Sequence, residues 1–268
     1  MGGEAGLHSL IAWSLAAFFV VYLPQFLIRP VWPLLVAWTQ SLLPSTDPWF
    51  AALAVGSLGT NLGLVILFNL ALWPIYATGI ADAYRCDASK PWPWSSTAAP
   101  EERASFWRTV LASLFVVSFN ALVVAYGAIA LIAPIARYLG SFSFAPEAFP
   151  STAELLAHLT ASLLIEDFMF YCTHRTLHCE PLYRHIHSWH HAFKSVIALS
   201  SENAHPVEYA VGNLAPVTLG PLLLRSHAFT FFFVRAAAAL LRRPAQGLRC
   251  LDSLDSPLDA PHTCPHSR

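Results

Sequence analysis

The longest uncharged apolar run, Ala51 to Ile80, does most to restrict the folds open to this chain. About 20 apolar residues in a helix cross the hydrocarbon core of a bilayer, and this run is longer than that. Leu10 to Ile28 and Thr109 to Ile135 are also uncharged. Thr152 to Thr173 is a fourth candidate span, interrupted by Glu154, Glu166 and Asp167. A fifth apolar region, Tyr209 to Leu241, is divided by Pro216, Gly220-Pro221 and Arg225. Such breaks predict a re-entrant hairpin or two short helices, under protein cover that satisfies the freed backbone. Composition agrees, with 56% apolar and 12% charged residues, where soluble domains carry roughly a quarter charged. The expected fold class is all-α, a polytopic integral membrane helical bundle. Three regions are expected: spans and loops over 1–151, a histidine-bearing region over 152–241, and a polar tail over 242–268.

Met1 to His8 carries no Lys or Arg, and no small-residue cleavage site follows, so the first span reads as a retained anchor. Loop charge then sets the orientation. Residues 81–108 and 174–208 carry Arg85, Lys90, Arg103, Arg108, Arg175, Arg184 and Lys194, seven in all, against Arg29 and Arg137 in residues 29–50 and 136–151. Basic loops stay in the cytosol, so the seven-residue side is expected there. A net charge of -1 gives no case for nucleic acid as a partner. The five cysteines form neither a CxxC pair nor an evident disulfide framework, which fits a reducing face.

Two histidine clusters fall on that cytosolic side: His174-Arg175-Thr176-Leu177-His178 and His187-Ser188-Trp189-His190-His191. Residues three or four apart share a helix face, so His174 with His178, and His187 with His190 and His191, are expected to converge. Five imidazoles without cysteine suit iron or zinc. Asp167, Tyr171, His174 and His178 fall on one helical stripe, which makes Asp167 and Tyr171 candidates to support a ligating imidazole from behind. His205 precedes Pro206 and is expected on a turn, where spacing alone does not aim it at the cluster. His227, after Arg225 in a break, reads as interfacial. A zinc peptidase would need HExxH, and Arg175 and Thr176 stand in that place.

Glu166-Asp167, Phe170-Tyr171 and His174-Arg175-x-x-His178 together resemble the first histidine box of the fatty acid hydroxylase/sterol desaturase superfamily. His187-x-x-His190-His191 resembles its second box, and Ala204-His205-Pro206-x-Glu208 is similar to a segment of its methylsterol monooxygenase branch. Gly220-Pro221-Leu222 with Ser226-His227 is similar to a vertebrate relative of that branch. The resemblance covers about residues 152–235 and makes 152–241 a fatty acid hydroxylase-like region. It implies an endoplasmic reticulum enzyme with a non-haem di-iron centre, using O2 and electrons from NAD(P)H through cytochrome b5 or its reductase. The implied substrate is a membrane sterol or fatty acyl lipid, and the implied reaction is hydroxylation, at the C4 methyl in the sterol branch. His174, His178, His187, His190 and His191 would be the iron ligands, with His205 a weaker candidate.

The superfamily carries a third box of HxxHH form after another pair of apolar segments. Here the pattern stops near Arg235 and gives way to Ala236–Leu241, Arg242-Arg243-Pro244 and a polar tail. His262 and His266 in that tail are four apart, but Pro261 and Pro265 argue against a shared helix face. The expectation is an altered or truncated C-terminus and a poorly active hydroxylase. The alternative is a non-catalytic endoplasmic reticulum membrane protein that keeps the fold.

Overall fold

The computed structural model describes residues 18–80, 91–193 and 197–242. The tail histidines, the start of the first expected span and the basic residues Arg85, Lys90 and Lys194 lie outside the described residues. Among the described residues every regular element is helical. Three helices are long and apolar enough to cross a membrane: Pro48–Thr78, Pro100–Leu139 and Thr152–Leu177. The protein is an all-α, polytopic membrane bundle.

A π-helical stretch, Phe18–Ile28, runs into α1 (Arg29–Ser41). The sequence reading put residues 29–50 in a loop, and the helix instead continues to Ser41. Pro30 and Pro33 lie inside this continuous helix without ending it, next to the π-helical turns of Phe18–Ile28. α2 (Pro48–Thr78) starts on Asp47, whose carboxylate accepts from the Phe50 N–H at 2.9 Å, and ends at Gly79 in the left-handed region. Its 31 residues reach about 46 Å at the helical rise per residue, beyond a bilayer core of about 30 Å.

α3 (Pro100–Phe119) and α4 (Ala125–Leu139) form one continuous rod through a π-helical bulge, Asn120–Val124. The bulge presents the Asn120 side chain inward, and its Nδ2 donates to the Ala204 carbonyl at 2.8 Å. α5 (Thr152–Leu177) begins on Ser151, whose hydroxyl accepts from the Glu154 N–H. α6 (Leu182–His185) and two 3-10 turns, His187–Ala192 and Ala198–Glu202, follow. α7 (Pro206–Glu208), a π-helical stretch Tyr209–Leu214, α8 (Ala215–Leu223) and α9 (Ala228–Arg242) complete the described chain. The fifth apolar region thus forms two short helices with a turn between them.

Packing brings the end of α5 against the segment that returns after the second histidine cluster. α8 lies on α5, and the contact is tight at Gly220: a Cβ there would stand 2.7 Å from Ser162 Cα. Among the described residues, two of the three apolar cores brace the bundle. One gathers Trp32, Leu53, Phe142, Phe149, Leu155, Phe229 and Phe231. Its indoles are satisfied as they are buried: Trp32 Nε1 donates to the Phe144 carbonyl and Trp49 Nε1 to that of Phe142. The other joins Val65 and Tyr76 of α2 and Phe106 and Val117 of α3 to Phe193, Ile197 and Leu199. Those last three residues directly follow the second histidine cluster, so this core fixes its position. Large apolar side chains such as Leu131, Phe115, Leu164 and Phe168 remain exposed on the outer faces, as lipid contact requires.

Candidate metal centre

The last turns of α5 and the 3-10 turn His187–Ala192 build the centre. His174 and His178 lie one turn apart on α5, and their Nε2 atoms are 3.2 Å apart. His187 is fully buried, and its Nε2 stands 3.2 Å from that of His178. His191 Nε2 lies 3.1 Å from His187 Nε2 on the exposed side. One nitrogen from each of His174, His178 and His187 falls within a common 4.8 Å. Nitrogens about 2.0–2.1 Å from one cation are separated by about 2.9 Å at right angles and about 3.4 Å in a tetrahedron. The observed spacings lie between these values. The donor set fits a cation.

A carboxylate that the sequence reading did not assign sets the key tautomer. His187 Nδ1–H donates to Glu208 Oε1 at 2.7 Å, with both side chains buried. A proton held at Nδ1 leaves the Nε2 lone pair free to face its neighbours, the arrangement that orients a metal-ligating imidazole and raises its basicity. Glu208 was quoted in the Ala204–Glu208 motif for its family resemblance alone. The signal that could have found it is an acid in an apolar stretch, two residues after a helix-starting proline.

His190 takes a different place. Its ring stacks on His187, with centroids 5.5 Å apart, and its Nδ1 is buried without a hydrogen-bond partner. Burial pushes this imidazole below its ordinary range, the nearby Glu208 carboxylate opposing in part. A neutral ring with a bare buried nitrogen is what a ligand position needs. The Asn203 Nδ2 donates to the Trp189 carbonyl at 2.6 Å and so ties this turn to the segment leading to Glu208.

Three of the site residues read from sequence fall elsewhere. His205 is not drawn to the cluster: its Nδ1 accepts from the Val207 N–H, capping α7, and its ring packs on Trp189. Asp167 is exposed. It shares the stripe of His174 but lies seven residues earlier, about 10 Å along the axis, too far to accept from that ring. Tyr171 is exposed as well, and its hydroxyl accepts from Arg175 Nη1 at 2.6 Å. Cys172 is free, whereas Cys179 is disulfide-bonded, against the expectation of unpaired thiols.

Beside the histidines lies a cavity of about 150 Å³. His174 and His190 form part of its wall, with Phe170 of α5, Thr60 and Asn61 of α2, and Arg235 of α9 opposite.

Residues 159–243 match the family model described as fatty acid hydroxylase. A fatty acid hydroxylase of Mycosarcoma maydis is 39% identical over 112 residues, 42% of this chain and 29% of the relative. Human fatty acid hydroxylase domain-containing protein 2 is 42% identical over 78 residues, 29% of this chain and 23% of its own. A methylsterol monooxygenase of Arabidopsis thaliana is 38% identical over 99 residues, 37% of this chain and 36% of its own. The chain thus spans little more than a third, at most, of these relatives' lengths. No solved structure matches it. The chain resembles the fatty acid hydroxylase/sterol desaturase superfamily, and within it the methylsterol monooxygenase branch.

Proposed function

We propose that this chain, carrying a fatty acid hydroxylase domain over residues 159–243, is a membrane-bound, oxygen-dependent lipid hydroxylase using non-haem iron. The observation that carries the reading is the convergence of His174, His178, His187 and His191 nitrogens at 3.1–3.2 Å, with Glu208 behind His187. His190, with its unpartnered buried Nδ1, is the further ligand position. In the family pattern the centre holds two irons, fed by electrons from NAD(P)H through cytochrome b5. Iron, when bound there, supplies oxygen activation and the removal of hydrogen from an unactivated C–H bond.

The chain's own residues do the rest. Glu208 holds the proton at His187 Nδ1, so that Nε2 stays a lone-pair donor. The core around Phe193, Ile197 and Leu199 holds the histidine turn in place. Phe170, Leu64, Leu214 and Val217 form the apolar part of the cavity wall beside His174 and His190, where a hydrocarbon portion of the substrate would pack. A sterol with a C4 methyl is the favoured substrate, ahead of a fatty acyl chain, because the Ala204–Glu208 segment resembles the methylsterol branch. The basic-loop asymmetry and the family resemblance support a place in the endoplasmic reticulum membrane, with the histidines facing the cytosol.

The test is reconstitution of the full chain in lipid vesicles with NADH, cytochrome b5, its reductase and a 4-methylsterol. The reading expects oxygen-dependent hydroxylated product that disappears in His187→Ala. Iron-loaded protein that receives electrons and makes none contradicts it. A non-catalytic membrane protein holding a single metal is the competing reading. One observation favours it: among the described residues, the converging nitrogens of His174, His178 and His187 describe one centre.

A further inference from the structure

In the rod formed by α3 and α4, the π-helical bulge brings two neighbouring residues, Asn120 and Ala121, to the buried face together. The Asn120 carbonyl accepts from the Ala125 N–H, five residues on, which is the wide turn itself. Such bulges give up regular helical pairing and are frequent at functional sites. The side chain carries a second cost: Asn120 Oδ1 is buried and has no hydrogen-bond partner. An apolar side chain would serve a spanning helix better at this position. The other end of the amide shows what the arrangement gains. Nδ2 donates to the Ala204 carbonyl at 2.8 Å, across 84 residues of chain. Ala204 belongs to a strap, residues 203–208, that grips the histidine turn twice. Asn203 Nδ2 donates to the Trp189 carbonyl at 2.6 Å, and Glu208 Oε1 accepts from His187 Nδ1–H at 2.7 Å.

We propose that Asn120 is a positioning residue for the histidine centre, holding the strap in the register that sets Glu208 on His187 and Asn203 on the turn. The proposal rests on the metal centre of the hydroxylase reading, and Asn120 itself is none of its ligands. A third apolar core lies at the same junction, gathering Ala125 of α4 with Ala204, Tyr209 and Leu214. Apolar contact is non-directional, so it brings the strap to the rod without fixing how far along the rod the strap lies. A hydrogen bond does fix it, because its geometry is lost within about half an ångström. Asn61 of α2 ties the residue after the strap, donating to the Tyr209 hydroxyl at 3.0 Å. A strap slipped by about 1 Å would carry the Glu208 oxygen out of hydrogen-bond range of His187. The tautomer that leaves His187 Nε2 as a lone-pair donor would then lose its support. Asn120 thus acts on the centre from another helix and through two other side chains.

Two readouts on the purified full chain in nanodiscs test this, neither of them turnover. In protein stripped of metal by chelator, proton NMR follows the low-field Nδ1 proton of His187, assigned by its loss in His187→Ala. Titration with Co(II) then gives metal affinity, and the visible bands of bound cobalt report the ligand geometry. Asn120→Leu keeps the side-chain volume and removes the bond. Its melting temperature should stay near the parent's, since the lost bond is offset by removal of the unpartnered Oδ1. The His187 proton should shift or broaden, the cobalt bands should change, and cobalt affinity should fall about tenfold. Asn203→Ala should act likewise, and the two losses of affinity should combine less than additively, because both break one path. If Asn120→Leu does not fold, Asn120→Ser gives the same readings with a hydroxyl too short to reach Ala204. A parent-like His187 proton and parent-like cobalt bands in the folded variant overturn the proposal, whatever happens to the melting temperature. Fully additive losses overturn it too. A chain that takes up neither cobalt nor iron, yet whose His187 proton moves in Asn120→Leu, sinks the hydroxylase reading and leaves the positioning role standing.

Discussion

Replacing Glu208 by glutamine should move metal affinity and metal-free stability in different directions. In the parent, Glu208 is buried, accepts from His187 Nδ1 at 2.7 Å, and its second oxygen has no hydrogen-bond partner. A buried carboxylate with one oxygen unpartnered is costly, and bound metal charge is what compensates it. Glutamine keeps an acceptor for the Nδ1–H but loses the charge that strengthens His187 as a ligand. Losing an outer partner of this kind costs about 10–100-fold in metal affinity, or roughly 1.4–2.7 kcal/mol. The metal-free protein loses only a buried charge, so its melting temperature should hold or rise. Chelator competition on iron-loaded protein gives the first quantity, and thermal unfolding of the stripped protein in the same detergent gives the second. Parent affinity within twofold in the variant would refute the role given to Glu208. An equal loss of metal-free stability would mean that the pair is structural instead.

Other expectations concern the frame around the centre. His205→Ala should leave metal content unchanged and cost about 1 kcal/mol of stability through the lost cap; loss of metal in that variant, read by elemental analysis, would restore His205 as a ligand. Gly220→Ala drives a methyl toward Ser162 Cα and should cost about 1–3 kcal/mol of overpacking, seen as a lower melting temperature. His227 is buried between Trp32 and Phe149, donating from Nε2 to the Ala145 carbonyl and accepting at Nδ1 from the Phe229 N–H. Burial lowers its pKa to about 4, with the Ala145 carbonyl opposing in part. The unfolded chain takes this proton near pH 6.5, so the stability that rests on a neutral ring is complete above that pH. It is lost as pH falls toward 4, by about 3 kcal/mol in full. His227→Phe should flatten that part of the pH–stability profile.

Much of the centre could be read from the sequence because its geometry is local. His174 and His178 are one α-helical turn apart, and spacing alone puts them on one face. The second cluster was expected on an α-helix and instead forms a 3-10 turn. With three residues per turn, His190 stacks on His187 and only His191 brings a nitrogen beside it. Glu208 escaped because its bond to His187 spans 21 residues of chain, and no periodicity encodes a tertiary pairing. Asp167 was chosen by the same helical stripe that found the histidines; its angle was right and its axial distance wrong. Arg235 was passed over as a mark of the end of the pattern, since nothing in a run of alanines shows which wall an arginine will face.

The iron content of the purified chain, beside that of His187→Ala, bears most directly on the central claim. The account expects at least one tightly held iron per parent chain, and its loss in the variant without loss of helical fold. A parent that holds no iron after expression in iron-replete medium, or a variant that keeps all of it, would contradict the account.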